Sequence, residues 1–123
     1  MSVFYTSNSR TVVQYYFEEG GVNIDGTFSI TANVQTDSVE VDHSKTFQIQ
    51  LCLFDSDGDC TVTIQQSSDN QMWDDLMNAS GIIIPQNDSV TFEDHYFSGR
   101  YLRLKVDLGT LTVGKLKTIL TEK

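Results

Sequence analysis

The 123-residue sequence predicts an all-β fold: a two-sheet antiparallel β-sandwich of the jelly-roll type, with an N-terminal arm. Three observations carry that expectation. Apolar and polar residues alternate with a period of two through several runs, the pattern of strands with one buried and one wet face. No long segment shows the 3.6-residue stripe of an amphipathic helix. A single proline and evenly spaced turn residues divide the chain into roughly eight or nine short strands, as sandwiches require. An immunoglobulin-like sandwich is the alternative, but its Cys…Trp…Cys framework is missing.

Taken in order, residues 1–20 are polar and aromatic, run into Glu18-Glu19-Gly20-Gly21 at the boundary, and read as an arm or an edge strand over Thr11–Phe17. Residues 21–123 read as a single sandwich domain. Phe28, Ile30, Ala32 and Val34 alternate with Ser29, Thr31 and Asn33, which predicts one strand. Val39–Val41 is a short candidate. Phe47, Ile49, Leu51 and Leu53 then alternate with Gln48, Gln50 and Cys52, and Val62 and Ile64 with Thr61, Thr63 and Gln65.

Between these two runs, Asp57-Gly58 is the signal of a type I′ hairpin turn. Centring the turn there pairs Leu53 with Val62 and Leu51 with Ile64, apolar opposite apolar. The same register sends Cys52 and Cys60 to opposite faces, which disfavours a disulfide and agrees with a reducing origin.

Ile82–Ile84 and Ser89–Phe92 are further candidates. Leu102, Leu104, Val106 and Leu108 alternate with Tyr101, Arg103, Lys105 and Asp107 in the clearest run. In the closing segment, Thr110–Leu120, the apolar parity shifts at Gly114, which predicts a bulge.

Eight Lys and Arg against seventeen Asp and Glu give a net charge of −9. Such a balance excludes a general nucleic-acid binder, which displaces counterions with a basic footprint, and opposes docking on anionic membranes. With 39% hydrophobic residues, the chain is too apolar for an acidic disordered tail. Residues 46–99 hold nine acids and no Lys or Arg, whereas residues 100–123 hold six bases and two acids. A bipolar surface suited to assembly follows, beside the plainer reading of strands that carry Lys and Arg outward. The N-terminus shows no basic or apolar leader pattern, so synthesis in a host cytoplasm is expected, and the sequons at Asn78 and Asn87 are chance matches.

Chemistry-bearing motifs are few. Asp55-Ser56-Asp57-Gly58-Asp59 has a superficial likeness to a calcium loop, but an EF-hand needs Gly sixth and Glu twelfth. Here Gly58 is fourth and Gln66 twelfth, so an acidic turn is the simpler reading. Glu93-Asp94-His95 joins a histidine to carboxylates, but adjacent strand residues point to opposite faces and make poor joint ligands. His43 has only Asp42 beside it. With no nucleophile motif or phosphate loop, the expectation is no enzyme activity, no catalytic residue, no metal and no cofactor.

The only tryptophan, Trp73, follows a Ser/Asp/Asn turn after the Thr61–Gln66 strand. It reads as a core plug or as a stacking platform for a glycan. The segments VTIQQSSDNQMWDDL and FSGRYLRLKVD resemble the C-terminal half of discoidin (coagulation-factor type C) jelly rolls, over residues 60–106. That resemblance implies a strand–turn–Trp–strand order with Trp73 and Leu102 or Leu104 in the core. The family's N-terminal features and bracketing cysteine pair are missing, so its ligand loops have no counterpart here.

The Thr/Ser/Asn-rich strands, aromatic N-terminus and closing GTLTVGKLKTILTEK strand together resemble small virion proteins of tailed bacteriophages, most closely the capsid decoration (cement) type. That likeness implies a partner, the major capsid protein, a homo-oligomer with a trimer favoured, and a place on the capsid exterior. Phe4, Tyr5, Tyr15, Tyr16 and Phe17 are then interface candidates, and strand addition and apolar contacts the mechanism. The alternatives are a tail or neck component, or a carbohydrate-binding module with Trp73, Tyr96, Phe97 and Tyr101 as its platform.

Overall fold

The computed structural model describes residues 13–15, 27–41, 47–76, 79–94 and 100–122. Among them there are strands and no helix: β1 (Val13–Tyr15), β2 (Thr27–Ile30), β3 (Val34–Gln35), β4 (Val39–Glu40), β5 (Phe47–Phe54), β6 (Cys60–Ser67), β7 (Asp74–Asp75), β8 (Ile82–Ile84), β9 (Ser89–Asp94), β10 (Tyr101–Asp107) and β11 (Gly114–Glu122). They form two antiparallel sheets packed face to face. The first has the order β1-β11-β5-β9, with β2 beside β1 on the same flank of β11. The second has the order β3-β10-β6-β7, with β4 beside β3 along β10 and β8 beside β7 along β6.

The pairing amounts to one long hairpin rolled up. β1 and β2 pair with β11, β3 and β4 with β10, β5 with β9, and β6 with β7 and β8. Rolling the ribbon sets β11 beside β5 and β10 beside β6. This is the jelly-roll order.

Alternation explains the core. In β10, Leu102, Leu104 and Val106 are fully buried while the residues between them face out, and Leu116 and Leu120 of β11 do the same from the other sheet. Ile49, Leu51 and Leu53 of β5 meet Val62 and Ile64 of β6 in this one cluster. Burying each such side chain is worth about 1.5–3 kcal/mol against leaving it in water.

The predicted hairpin between β5 and β6 does not form, because these strands lie in different sheets. Leu51 and Leu53 share the core with Val62 and Ile64 from the opposite sheet, not as cross-strand neighbours. Gly58 does not take up the left-handed backbone that a type I′ turn needs. Its glycine is required by close approach, since a Cβ there would stand 2.8 Å from the Thr110 carbonyl oxygen. Both cysteines are free thiols: Cys52 is half-buried on the outer side of β5, and Cys60 is buried at the start of β6.

Two other expectations change. The run Phe28–Val34 is two strands, β2 in the first sheet and β3 in the second, divided where Thr31 and Ala32 bend through solvent. Gly114 opens β11 instead of bulging it, and buried Leu111 belongs to the preceding loop. The parity shift thus marks a strand start. Thr36 divides β3 from β4. Its backbone N–H donates to the Leu104 carbonyl and its Oγ1 accepts from the Leu104 N–H, each at 2.9 Å.

Candidate functional site

The outward residues of β10 set up the most functional-looking face, on the outside of the second sheet. Arg103 lies between Leu102 and Leu104, so it points away from the core, and its neighbour across the ladder is Gln65 of β6. Its Nε donates to Gln65 Oε1 at 2.8 Å, and Gln65 Nε2 donates to Asp75 Oδ1 at 2.9 Å. The Gln65 amide is therefore fixed from both ends. On the other side, with the Gln35 amide turned so that its oxygen meets the guanidinium, that oxygen stands 2.7–2.9 Å from the Arg103 nitrogens.

Trp73 completes the arrangement. Asp69 shapes the turn that brings it back: its Oδ1 accepts from the N–H groups of Gln71 and Met72, each at 2.9 Å, and from Ser67 Oγ at 3.0 Å. The Met72 and Gln71 N–H groups, with the Ser67 hydroxyl, hold the Asp69 carboxyl below the usual carboxylate range. The following β7 pairs with the end of β6, so Trp73 arrives beside Arg103, with the guanidinium carbon 4.1 Å from its ring centroid. Partial burial lowers the Arg103 pKa, since the charged form loses water.

Trp73 is therefore not a core plug. It is half-exposed on the outer face, against what the discoidin resemblance implied for it, and the core beneath is filled by Leu102 and Leu104. Tyr101 lies on the same outward side of β10, half-buried, with the Arg100 guanidinium 5.9 Å from its ring. Tyr96 and Phe97, the other proposed platform residues, lie outside the described residues, as do Phe4, Tyr5, Tyr16, Phe17, His43 and His95. Tyr15 is in β1, paired with Leu120 of β11. Arg103, Gln35 and Gln65 carried no motif. The alternation places Arg103 outward, but only the strand order joins it to the two glutamines.

The acidic loop after β5 is a structural clamp. Asp57 Oδ1 accepts from the N–H groups of Thr112 at 2.9 Å and Val113 at 3.1 Å, and Oδ2 from the Thr112 hydroxyl. Asp59 Oδ1 accepts from the Gln86 N–H at 2.8 Å, and Asp55 faces Lys115 at 3.7 Å. Ser56 and Asn87 bond reciprocally: the Ser56 N–H donates to Asn87 Oδ1 at 2.9 Å and the Asn87 N–H to Ser56 Oγ at 3.0 Å. The three carboxylates thus serve three different partners. Among the described residues, no three His, Cys, Asp or Glu side chains converge to hold a metal ion.

Compared with known proteins, the chain matches no family model and no curated protein.

Proposed function

We propose that this chain is a non-enzymatic structural protein of a tailed-bacteriophage virion, a decoration protein that binds and stabilises the shell of major capsid protein. The observation that carries the reading is the outer face of the first sheet. The register sets Thr27 and Ser29 of β2, Lys115, Lys117, Ile119 and Thr121 of β11, Gln48, Gln50, Cys52 and Phe54 of β5, and Ser89, Thr91 and Glu93 of β9 side by side. In a chain of net charge −9, the charged side chains that the described residues bring to that surface are Lys115, Lys117 and Glu93. A broad, charge-poor face with half-buried Phe54 and Ile119 shares the depletion of charge found at the core of protein–protein interfaces.

Charge distribution supports the same orientation. Asp55, Asp57, Asp59 and Asp88 gather in the loops at one end, while the sheet face is slightly basic. Among the described residues, β1 pairs with β11 at one edge of the first sheet. An edge strand suits the addition or exchange of a segment between neighbouring copies. The interface would then include Phe4, Tyr5, Tyr15, Tyr16 and Phe17.

The test is co-sedimentation with capsids of the phage that encodes this chain, stripped of decoration. Saturable pelleting is expected, abolished by Gln50→Glu combined with Thr91→Glu in protein that still melts cooperatively, and weakened by removing residues 1–9. Protein that stays in the supernatant beside intact capsids overturns the reading.

A further inference from the structure

We infer that the groove beside Arg103 on the outside of the second sheet is a binding site for an acidic saccharide, with the sugar carboxylate on Arg103 and Lys105 and its hydroxyls on the flanking amides and Asp107. The groove encloses about 390 Å³ and is lined by Asn33, Gln35, Gln65, Arg103, Lys105 and Asp107, a size at the lower end of small-ligand sites. It lies on the sheet opposite the proposed shell-binding face, so it stands independently of that reading.

Arg103 is the first reason. Among the described residues no carboxylate lies within ion-pair distance of it, in a chain with more than twice as many acids as bases. A guanidinium has five donors, and two neutral amide oxygens with the Trp73 ring leave part of that capacity open and supply no opposite charge. Its position is nevertheless fixed by Gln65, which Asp75 holds in turn, and by the Trp73 ring. A half-buried, oriented cation with no carboxylate partner among the described residues is preorganised for a planar carboxylate.

The rest of the lining selects the ligand class. Asn33 Oδ1 already accepts from the Leu108 N–H at 3.1 Å, so its amide presents donors to the groove. Lys105, exposed and next to Gln35 across the ladder, adds a second cation. Asp107, two residues further along the same face, accepts hydrogen bonds from hydroxyls but repels additional anionic charge. A ligand with one carboxylate and several hydroxyls satisfies all of these groups, whereas a phosphate-rich or polyglutamate ligand meets Asp107 and the net charge of −9. Trp73 has one face against Arg103, so it acts as the wall that holds the arginine.

The full chain is titrated with galacturonate, with the neutral sugar galactose, with pentaglutamate and with inorganic phosphate. Binding is read by Trp73 fluorescence and by saturation-transfer NMR on the ligand. Saturable binding of galacturonate is expected, with galactose, pentaglutamate and phosphate each at least about tenfold weaker. Arg103→Gln and, separately, the exposed Lys105→Gln should each weaken galacturonate by about tenfold. Lys105→Gln keeps the test open should the first variant lose its fold. No binding of galacturonate, equal binding of any of the other three ligands, or full affinity in folded Lys105→Gln overturns the assignment.

Discussion

The Arg103 guanidinium carbon stands 4.1 Å from the ring centroid of Trp73, outside the sheet whose inner face is closed by Leu102 and Leu104. Trp73 is the only tryptophan, so its emission reports this contact directly. Arg103→Ala is expected to shift the emission to longer wavelength by admitting water to the ring. Trp73→Ala should cost about 0.5–2 kcal/mol in urea unfolding, the range of a cation–π contact from exposed to desolvated. Unchanged emission in Arg103→Ala would show that the contact does not persist in solution.

Gly58 sits where the acidic loop crosses the segment before β11. A Cβ there would stand 2.8 Å from the carbonyl oxygen and 2.8 Å from the hydroxyl of Thr110. The hydroxyl could rotate away, but the backbone oxygen cannot without moving its loop. Gly58→Ala is therefore expected to destabilise by about 1–3 kcal/mol, the usual cost of overpacking, measured as a lower urea midpoint with an unchanged slope.

What could be read from the sequence divides along a physical line. Features fixed by local alternation were legible: β10 is the strand its pattern announces, and Leu102, Leu104 and Val106 are core. Pairing was not. Leu51 and Leu53 would meet Val62 and Ile64 either as hairpin neighbours or across a sandwich, and a period-2 pattern is the same in both cases. Gly58 tipped the reading toward a turn because a glycine needed for close approach looks identical to one needed for its backbone angle. The Arg103 site was half-legible for the same reason: alternation sends Arg103 outward, but Gln35 is 68 residues from it in sequence and reaches it only through the pairing of β3 with β10.

The two thiols should react very differently. Cys60 is fully buried, and burial, with the Asp59 charge adding to it, pushes its pKa up to about 11. Near pH 8 almost none of it is thiolate, the reactive form. Cys52 is half-buried on the outer side of β5. Iodoacetamide on the native protein is expected to leave one adduct, at Cys52, with Cys60 labelled only in denaturant. Peptide mapping reads the outcome, and prompt native labelling of Cys60 would contradict its place in the core.

Asp57 gives the fold an acid-sensitive clamp. The Thr112 hydroxyl, then the Thr112 and Val113 N–H groups, hold its pKa down from 3.8 to about 2. Only the folded chain assembles those donors, so ionised Asp57 favours the folded state. That contribution is complete above the unfolded pKa and is lost as pH falls through the folded one. Wild type should therefore melt above Asp57→Asn by a constant margin from neutrality down to about pH 4, and the margin should close between about pH 4 and 2. Because the Thr112 hydroxyl is the largest cause, Thr112→Val should raise the Asp57 midpoint toward 3.8. Carboxyl NMR titration measures that midpoint, and a wild-type value near 3.8 would mean that the clamp is open in solution.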